Sequence, residues 1–311
     1  MKAARIHRFG PPDVIVLDDL AKPAPGQEQV LIRVAAAGVG PWDALIREHK
    51  SVVNVSLPLT LGSDLSGIIE SVGADVHHLK PGDKVYGVTN PQFIGAYAEY
   101  ALASANMIAK RPEFLSFREA ASAPVVAVTA WQMLFDYARA QSGQTVLIHG
   151  AAGNVGAYAV QLAREAGLRV FATASPEDAS FVQAMGAGTV INYKNTQFED
   201  VVPRADIVLD TVGGETRERS FRIIKPGGIL VSVASPVSPE ENPSADVRSV
   251  FFLVQVTTKR LEALTALFDR GGLKARVGTV LPLDQARKAH EMLDGAPPGK
   301  GKIILNIADL S

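Results

Sequence analysis

His149-Gly150-Ala151-Ala152-Gly153-Asn154-Val155-Gly156 is the stretch whose reading decides the fold. It follows the apolar run Thr145–Ile148 and opens the helix-like run Ala157–Ala166. Strand, glycine turn and helix in that order are what a dinucleotide site requires, because backbone N–H groups and the positive end of a helix dipole meet there at a pyrophosphate. Gly150 and Gly153 allow the tight turn, and Gly156 permits close helix–sheet contact. An ordinary strand–helix turn of an α/β sheet uses similar glycines, so the two flanking elements give the pattern its weight.

Working outward from this turn, strands and helices alternate. Strands are predicted at Thr145–His149, Arg169–Thr173, Thr189–Ile191, Asp206–Asp210 and Ile229–Val233, and helices at Val155–Ala166, Glu177–Met185 and Thr216–Ile224. Strands spaced by helices predict a doubly wound parallel sheet. Gly186-Ala187-Gly188 and Lys225-Pro226-Gly227-Gly228 are natural helix ends. Ser235–Asp246 reads as a loop and Val250–Thr257 as a sixth strand, followed by helices at Lys259–Arg270 and Asp284–Leu293 and a closing strand at Lys302–Ile307.

Upstream, the pattern differs. Met1–His7, Val14–Leu17, Gln29–Ala36, Gly67–Val72, Lys84–Tyr86 and Ala96–Leu102 are short runs punctuated by Pro11-Pro12, Pro25-Gly26 and Pro81-Gly82, which predicts a barrel-like β domain. Helical spacing begins at Ser116–Ala121 and Val125–Arg139.

Composition bounds the function. The 311 residues carry a formal net charge of −1 and no long basic run, which gives nucleic-acid binding little electrostatic support. With 47% hydrophobic residues the chain can bury a substantial core. No apolar run is long enough to span a membrane, and the N-terminus lacks the form of a signal peptide, so a cytoplasmic location without membrane contact is expected. The absence of cysteine excludes disulfides, a thiolate nucleophile and any cysteine metal ligand.

A set of motifs then runs through the chain in order: Ala36-Ala37-Gly38-Val39-Gly40-Pro41-Trp42-Asp43, Leu61-Gly62-Ser63-Asp64-Leu65-Ser66-Gly67, Pro81-Gly82-Asp83-Lys84-Val85-Tyr86-Gly87 and Gly95-Ala96-Tyr97-Ala98-Glu99-Tyr100. After the glycine turn come Val190-Ile191-Asn192-Tyr193, Asp210-Thr211-Val212-Gly213-Gly214 and Gly301-Lys302-Ile303-Ile304-Leu305. With these motifs the chain resembles the medium-chain dehydrogenase/reductase superfamily, in its zinc-free quinone oxidoreductase branch. The resemblance implies an α/β chain with a chaperonin-10-like β domain, 1–121 and 263–311, around a Rossmann nucleotide-binding domain, 122–262. It also implies a homodimer formed through Val250–Thr257.

Zinc members of the superfamily carry Cys where this chain has Gly40 and a His-Glu pair where it has Ser63-Asp64. Asp64 alone cannot supply the three or four ligands zinc needs, and the six histidines are scattered, so no zinc is expected. Without that Lewis acid the reaction must suit a conjugated electrophile, a quinone or an α,β-unsaturated carbonyl, to which hydride adds while solvent protonates the oxyanion.

The expected cofactor is NADPH, with NADH as the alternative. The second strand runs into Ala174-Ser175-Pro176, without the acid that binds the ribose 2′-hydroxyl in NAD sites. The resemblance makes Tyr193 a contact to the 2′-phosphate. No Lys or Arg lies in Ser175–Ser180, and Glu177 and Asp178 stand there instead.

The candidate cofactor-binding residues are Gly150, Ala152, Gly153, Asn154, Val155, Gly156, Ser175, Tyr193, Val212, Val233, Ala234 and Lys302, the last as a possible reach to a phosphate. The candidate catalytic residues are Asp43 and Thr129, which in relatives lie near the nicotinamide. The N-cap of a following helix turn is the stronger reading of Asp43, and Thr129 is equally placed to bond back to a helix carbonyl. Tyr97 and Tyr100 read as packed strand residues. Two readings stand beside the reductase: a non-catalytic NADPH-binding protein and a zinc-type alcohol dehydrogenase.

Overall fold

The computed structural model describes residues 1–238, 240, 242, 245–294 and 300–310. The chain divides into two compact units, Met1–Val125 with Gln255–Ser311 and Val126–Val254.

The first unit holds strands β1 (Lys2–Ile6), β2 (Ile15–Asp19), β3 (Gln29–Val39), β4 (Leu59–Thr60), β5 (Asp64–Val72), β6 (Lys84–Val88), β7 (Tyr100–Ser104) and β8 (Ile108–Lys110), with helices α1 (Pro41–Arg47) and α2 (Phe117–Ala121). The second unit holds α3 (Pro124–Trp131, whose first two residues fall in the first unit), β9 (Thr145–Ile148), α4 (Asn154–Glu165), β10 (Arg169–Ala174), α5 (Ala179–Met185), β11 (Thr189–Asn192), β12 (Ala205–Asp210), α6 (Gly214–Ser220), β13 (Ile224–Ser232) and β14 (Arg248–Phe251). The tail of the first unit adds α7 (Thr258–Asp269), β15 (Val277–Pro282), α8 (Ala286–Asp294) and β16 (Lys302–Asn306).

Among the described residues the first unit has a seven-stranded sheet in the order β15-β16-β3-β5-β6-β8, with β7 also on β3, and a small sheet β2-β1-β4. The long β3 is the hub, antiparallel to β5, β7 and β16. Its small residues are there for close approach: a Cβ on Gly38 would lie 2.6 Å from the Ala121 carbonyl and 3.0 Å from the Asp64 Cβ. The tail is stitched in by polar contacts as well. The Tyr86 hydroxyl donates to the Leu261 carbonyl at 2.7 Å, and Thr258 Oγ1 donates to the Ile108 carbonyl at 2.8 Å. All of α7 therefore belongs to the first unit, whereas the resemblance implies a nucleotide-binding domain that runs to 262.

The second unit is a six-stranded parallel sheet in the order β11-β10-β9-β12-β13-β14. Burial falls from the centre of the sheet outward: all four residues of β9 are inside, whereas β11 and β14 at the edges are mostly half-buried. The strand order reverses between β9 and β12, which opens a crevice at the carboxyl ends of the strands.

Two expectations are corrected. The sixth strand is Arg248–Phe251, not Val250–Thr257, and it forms the outer strand of the sheet beside β13. Phe252 is buried and its ring stacks on Tyr137 at 4.4 Å, and Thr257 caps α7 by accepting from the Arg260 N–H. The segment after Phe251 is thus used by packing and capping rather than by a ladder. Strand β7 begins at Tyr100, because Tyr97 turns inward instead of continuing an alternating strand.

Candidate active site

The glycine turn joins β9 to α4 and is built for close approach. Gly150 has φ +68°, where an L side chain is strained, and a Cβ there would meet Thr211 Oγ1 at 2.3 Å. A Cβ on Gly156 would lie 2.2 Å from the Gly150 carbonyl oxygen and 2.7 Å from the Ala151 Cα, both backbone atoms that cannot swing away. Gly153 is the N-cap of α4, so the N–H groups of Asn154, Val155 and Gly156 form its first turn, where a helix has no carbonyl of its own for them. Asn154 and Val155 are half-buried at this end.

Beside the turn is a cavity of about 460 Å³. Of the residues singled out in the sequence, Gly150, Ala152, Gly153, Ser175, Tyr193 and Val212 all line it. They come from the carboxyl ends of β9, β10, β11 and β12, the crevice that an open α/β sheet offers a ligand. Tyr193 and Val212 are 60% and 54% exposed, which in each case leaves the side chain open to a bound molecule. Val233 and Ala234 are outside the lining and act on it indirectly. The Val233 N–H donates to the Asp210 carbonyl, and the Ala234 Cβ bounds the space at Gly213.

Val212 is held out by a buried carboxylate. Asp210 Oδ1 accepts from the N–H groups of Val212 and Gly213 at 2.9 and 2.8 Å, and Oδ2 accepts from Ser232 Oγ at 2.8 Å. Gly213 and Gly214 then take φ +79° and +58°, the left-handed region that glycine allows.

The lining also contains residues that the sequence did not single out as site residues, among them His149, Asp178 and Arg219. His149 is fully buried, with Nδ1 3.2 Å from Thr173 Oγ1 and Nε2 2.9 Å from Ser220 Oγ. Burial pushes its pKa down to about 4, so the imidazole is neutral at physiological pH. Asp178 accepts from Ser175 Oγ at 3.0 Å, placing a carboxylate in the lining. Arg219 supplies a cation there, held by Glu199 through two contacts of 2.7 Å. Lys194 lies 3.3 Å from Glu177, an exposed pair.

The candidates outside this cavity have other surroundings. Thr129 is buried in α3. Asp43 is the third residue of α1 rather than its N-cap; the N-cap is Gly40, whose N–H donates to Asp43 Oδ2 at 2.8 Å. The same oxygen accepts from the Tyr97 hydroxyl at 3.0 Å. Oδ1 is buried with no partner, and burial pushes the Asp43 pKa up to about 7 against the lowering effects of Lys302 and the Gly40 N–H. Asp43 is thus buried, and its Oδ2 ties the Gly40 turn to Tyr97. Lys302 is likewise buried. Its side chain is 5% exposed and its ammonium lies 2.8 Å from Asp64 Oδ2, so its charge is engaged in a buried ion pair rather than left open.

The same pair bears on metal binding. Asp64 spends Oδ2 on Lys302 and Oδ1 on the Val125 N–H at 2.9 Å, and Gly40 offers no ligand atom. Among the described residues no group of three or more His, Cys, Asp or Glu side chains is arranged to hold a metal. The residues at this position do not fit a zinc ion. Among the described residues, too, no helix is long and apolar enough to cross a membrane.

The family comparisons agree with this anatomy. Residues 26–113 match the alcohol dehydrogenase GroES-like domain and residues 185–305 match the zinc-binding dehydrogenase model. The human quinone oxidoreductase is 34% identical over 322 residues, covering 98% of this chain and 97% of its own. The structure of the quinone oxidoreductase from Coxiella burnetii superposes with a TM-score of 0.90 at 34% identity, covering 99% of both chains. An Escherichia coli quinone oxidoreductase solved in complex with NADPH superposes with a TM-score of 0.86 at 26% identity, covering 98% of this chain and 100% of that one. The chain belongs to the medium-chain dehydrogenase/reductase superfamily, in its quinone oxidoreductase branch, and is an oxidoreductase of that family.

Proposed function

We propose that the chain is an NADPH-dependent, zinc-independent reductase that transfers hydride to a quinone or an α,β-unsaturated carbonyl. The observation that carries the proposal is the cavity beside the Gly150–Gly156 turn, which opens at the N-terminal end of α4 and is lined from the carboxyl ends of β9, β10, β11 and β12. A cradle that a single Cβ would fill lies at one end, and Tyr193 and Arg219 lie in the same lining. At the end of β10 stand Ala174 and Ser175, not an acid. The NADPH complex of the Escherichia coli relative supports the same choice. Asp178 is the one lining carboxylate that opposes a 2′-phosphate, which makes it the residue that sets how far NADPH is favoured over NADH.

The residues then divide the work. The first-turn N–H groups of α4 hold the pyrophosphate, and its dipole adds attraction for the anion. Tyr193 and Arg219 face the 2′-phosphate. Asp210 fixes the turn that presents Val212, and neutral His149 bridges Thr173 and Ser220 beneath the cavity without adding charge. When bound, the nicotinamide supplies the hydride. A conjugated acceptor suits a site without zinc, because delocalisation stabilises the oxyanion and solvent protonates it. The chain also acts as a homodimer through the edge of β14 in this proposal, since among the described residues that strand pairs only with β13 and ends the sheet.

The test is NADPH oxidation against a panel of quinones and 2-alkenals, beside NADH, with and without added zinc. Turnover with NADPH that is indifferent to zinc and to chelator is expected. Tight NADPH binding without turnover would favour a binding protein instead. Alcohol oxidation restored by zinc would favour a zinc-type dehydrogenase, and a higher kcat/KM with NADH would overturn the cofactor assignment.

A further inference from the structure

A second cavity, of about 360 Å³, lies wholly within the first unit. It is bounded by the start of β6, the residue after β8, the start of α2 and the segment that follows β16. None of its lining is shared with the dinucleotide cavity.

Its cations are placed by the fold. The Arg111 N–H donates to the Lys84 carbonyl at 2.9 Å, which locks the two residues side by side at the end of the β6–β8 ladder. Both charges point toward Phe117: the Lys84 ammonium is 5.6 Å and the Arg111 guanidinium 5.0 Å from the ring centre. Arg118 is the third cation, with Nε donating to Asn306 Oδ1 at 2.9 Å. Among the described residues neither Lys84 nor Arg111 has a carboxylate within ion-pair distance. Arg111 Nε is shielded from solvent and has no acceptor. A buried donor on a charged group is costly to leave unmade, so this atom marks a place where an acceptor is wanted.

Charge and size narrow the ligand. Asp309 shares the lining, and Asp269 and Glu119 act on Arg111 from beyond ion-pair distance. Glu119 is already occupied by the Ser116 N–H and hydroxyl, and Asp269 by the Glu113 N–H. Asp309 and these two outlying carboxylates offset much of the charge of Lys84, Arg111 and Arg118, which disfavours a polyphosphate, while the Lys84–Arg111 end has no carboxylate of its own. A water occupies about 30 Å³ of liquid, so a bare oxyanion would leave most of the space unfilled. Ala35, Phe117, Ala308 and Leu310 give the cavity an apolar side.

We infer that this cavity binds small organic monocarboxylates, with the carboxylate between Lys84 and Arg111 and the aromatic or aliphatic body against Phe117. Guanidinium geometry matches a carboxylate through paired N–H donors, and a ligand ring on Phe117 adds an aromatic contact. The site is separate from hydride transfer and does not depend on the cofactor assignment. A ligand there would tie the 308–310 segment to β6 and α2.

The experiment is a fluorine NMR titration of 4-fluorobenzoate with the full chain, with and without saturating NADPH. Binding is expected to be unchanged by NADPH. It should weaken about tenfold or more in the Lys84→Met/Arg111→Met double variant, the size of one lost charge-assisted hydrogen bond. It should also weaken about tenfold with neutral 4-fluorobenzamide as the probe, and inorganic phosphate at equal concentration should not compete. Ala308→Trp, which leaves every cation in place, should abolish binding by filling the cavity while circular dichroism and quinone turnover stay at wild-type values. Displacement by NADPH, equal binding by the double variant or by Ala308→Trp, equal binding of the benzamide, or full competition by phosphate would each overturn the inference.

Discussion

Replacing Asp43 by Asn should raise stability at pH 8 and do little at pH 5. The carboxyl is fully buried, receives the Gly40 N–H and the Tyr97 hydroxyl on Oδ2, and has no partner for Oδ1. Asp64 adds like charge to the cost of burial, and Lys302 offsets only part of it, so the pKa is pushed up to about 7. The folded state then keeps a proton that the unfolded chain releases near pH 4. The proton contributes stability at low pH, and that stability is lost as pH rises through about 7. Linkage between a folded pKa of about 7 and an ordinary one of 3.8 amounts to about 2.5 kcal/mol lost from about pH 5 to about pH 8. An amide keeps an oxygen for both donors and has no charge to lose. The buried histidines run the other way: with pKa values pushed down to about 4 and about 3, His149 and His290 withdraw stability as pH falls below about 6.5. Both are present in wild type and variant and cancel in the difference. Trp42 adjoins Asp43, and Trp131, the other tryptophan, lies in the second unit. Urea unfolding followed by Trp42 fluorescence in a Trp131→Phe background therefore reads the first unit alone. The variant should gain about 2.5 kcal/mol on wild type across that pH range. A gap that is constant with pH, or that closes as pH rises, would refute the protonated buried carboxyl.

Gly156→Ala should weaken NADPH binding at least tenfold and cost about 1–3 kcal/mol of stability, since its Cβ falls 2.2 Å from the Gly150 oxygen and α4 must move away from the turn. Gly153→Ala is the control, with a nearest contact of 3.2 Å at an extended N-cap and a much smaller effect; fluorescence titration and thermal melting read both. Asp178→Asn should raise the ratio of kcat/KM for NADPH over NADH about tenfold by removing a like charge from the lining, and a ratio that stays put would show the 2′-phosphate is held elsewhere. Val250→Asp, on the outer strand beside Val231, should convert a dimer into a monomer in sedimentation velocity, while an unchanged mass would place the dimer contact on another face.

The parts of this structure that were legible in the sequence are those whose signal is local. The switch from short punctuated runs to alternating strands and helices announces the parallel sheet, and β9, β10, β11 and β12 lie where their apolar runs do. Strands β8 and β15 leave no signal in the sequence, because three residues, or six with a glycine among them, carry too little alternation to stand out. Val250–Thr257 misled for the opposite reason. Its β-branched residues read as a strand, but burial of Phe252 and the cap at Thr257 took over beyond Phe251.

Side-chain roles follow the same division. The bond from the Gly40 N–H to Asp43 spans three residues and belongs to helix-start chemistry that spacing can reveal. Lys302 and Asp64 are brought together by β16 pairing with β3 and β3 with β5, and no window along the chain contains both. An exposed lysine beside a glycine and a buried lysine in an ion pair look alike until that topology is known. The same holds for Arg219. It stands on α6, far along the chain from the glycine turn, and enters the cavity because β12 adjoins β9 and carries α6 to the same edge. The backbone cradle of a nucleotide site can thus be read from one octapeptide, because glycine conformation and helix direction are set within it. The charges in the lining, Asp178 and Arg219, arrive on separate elements, so in the proposed site the choice between two nucleotides depends on the sheet order.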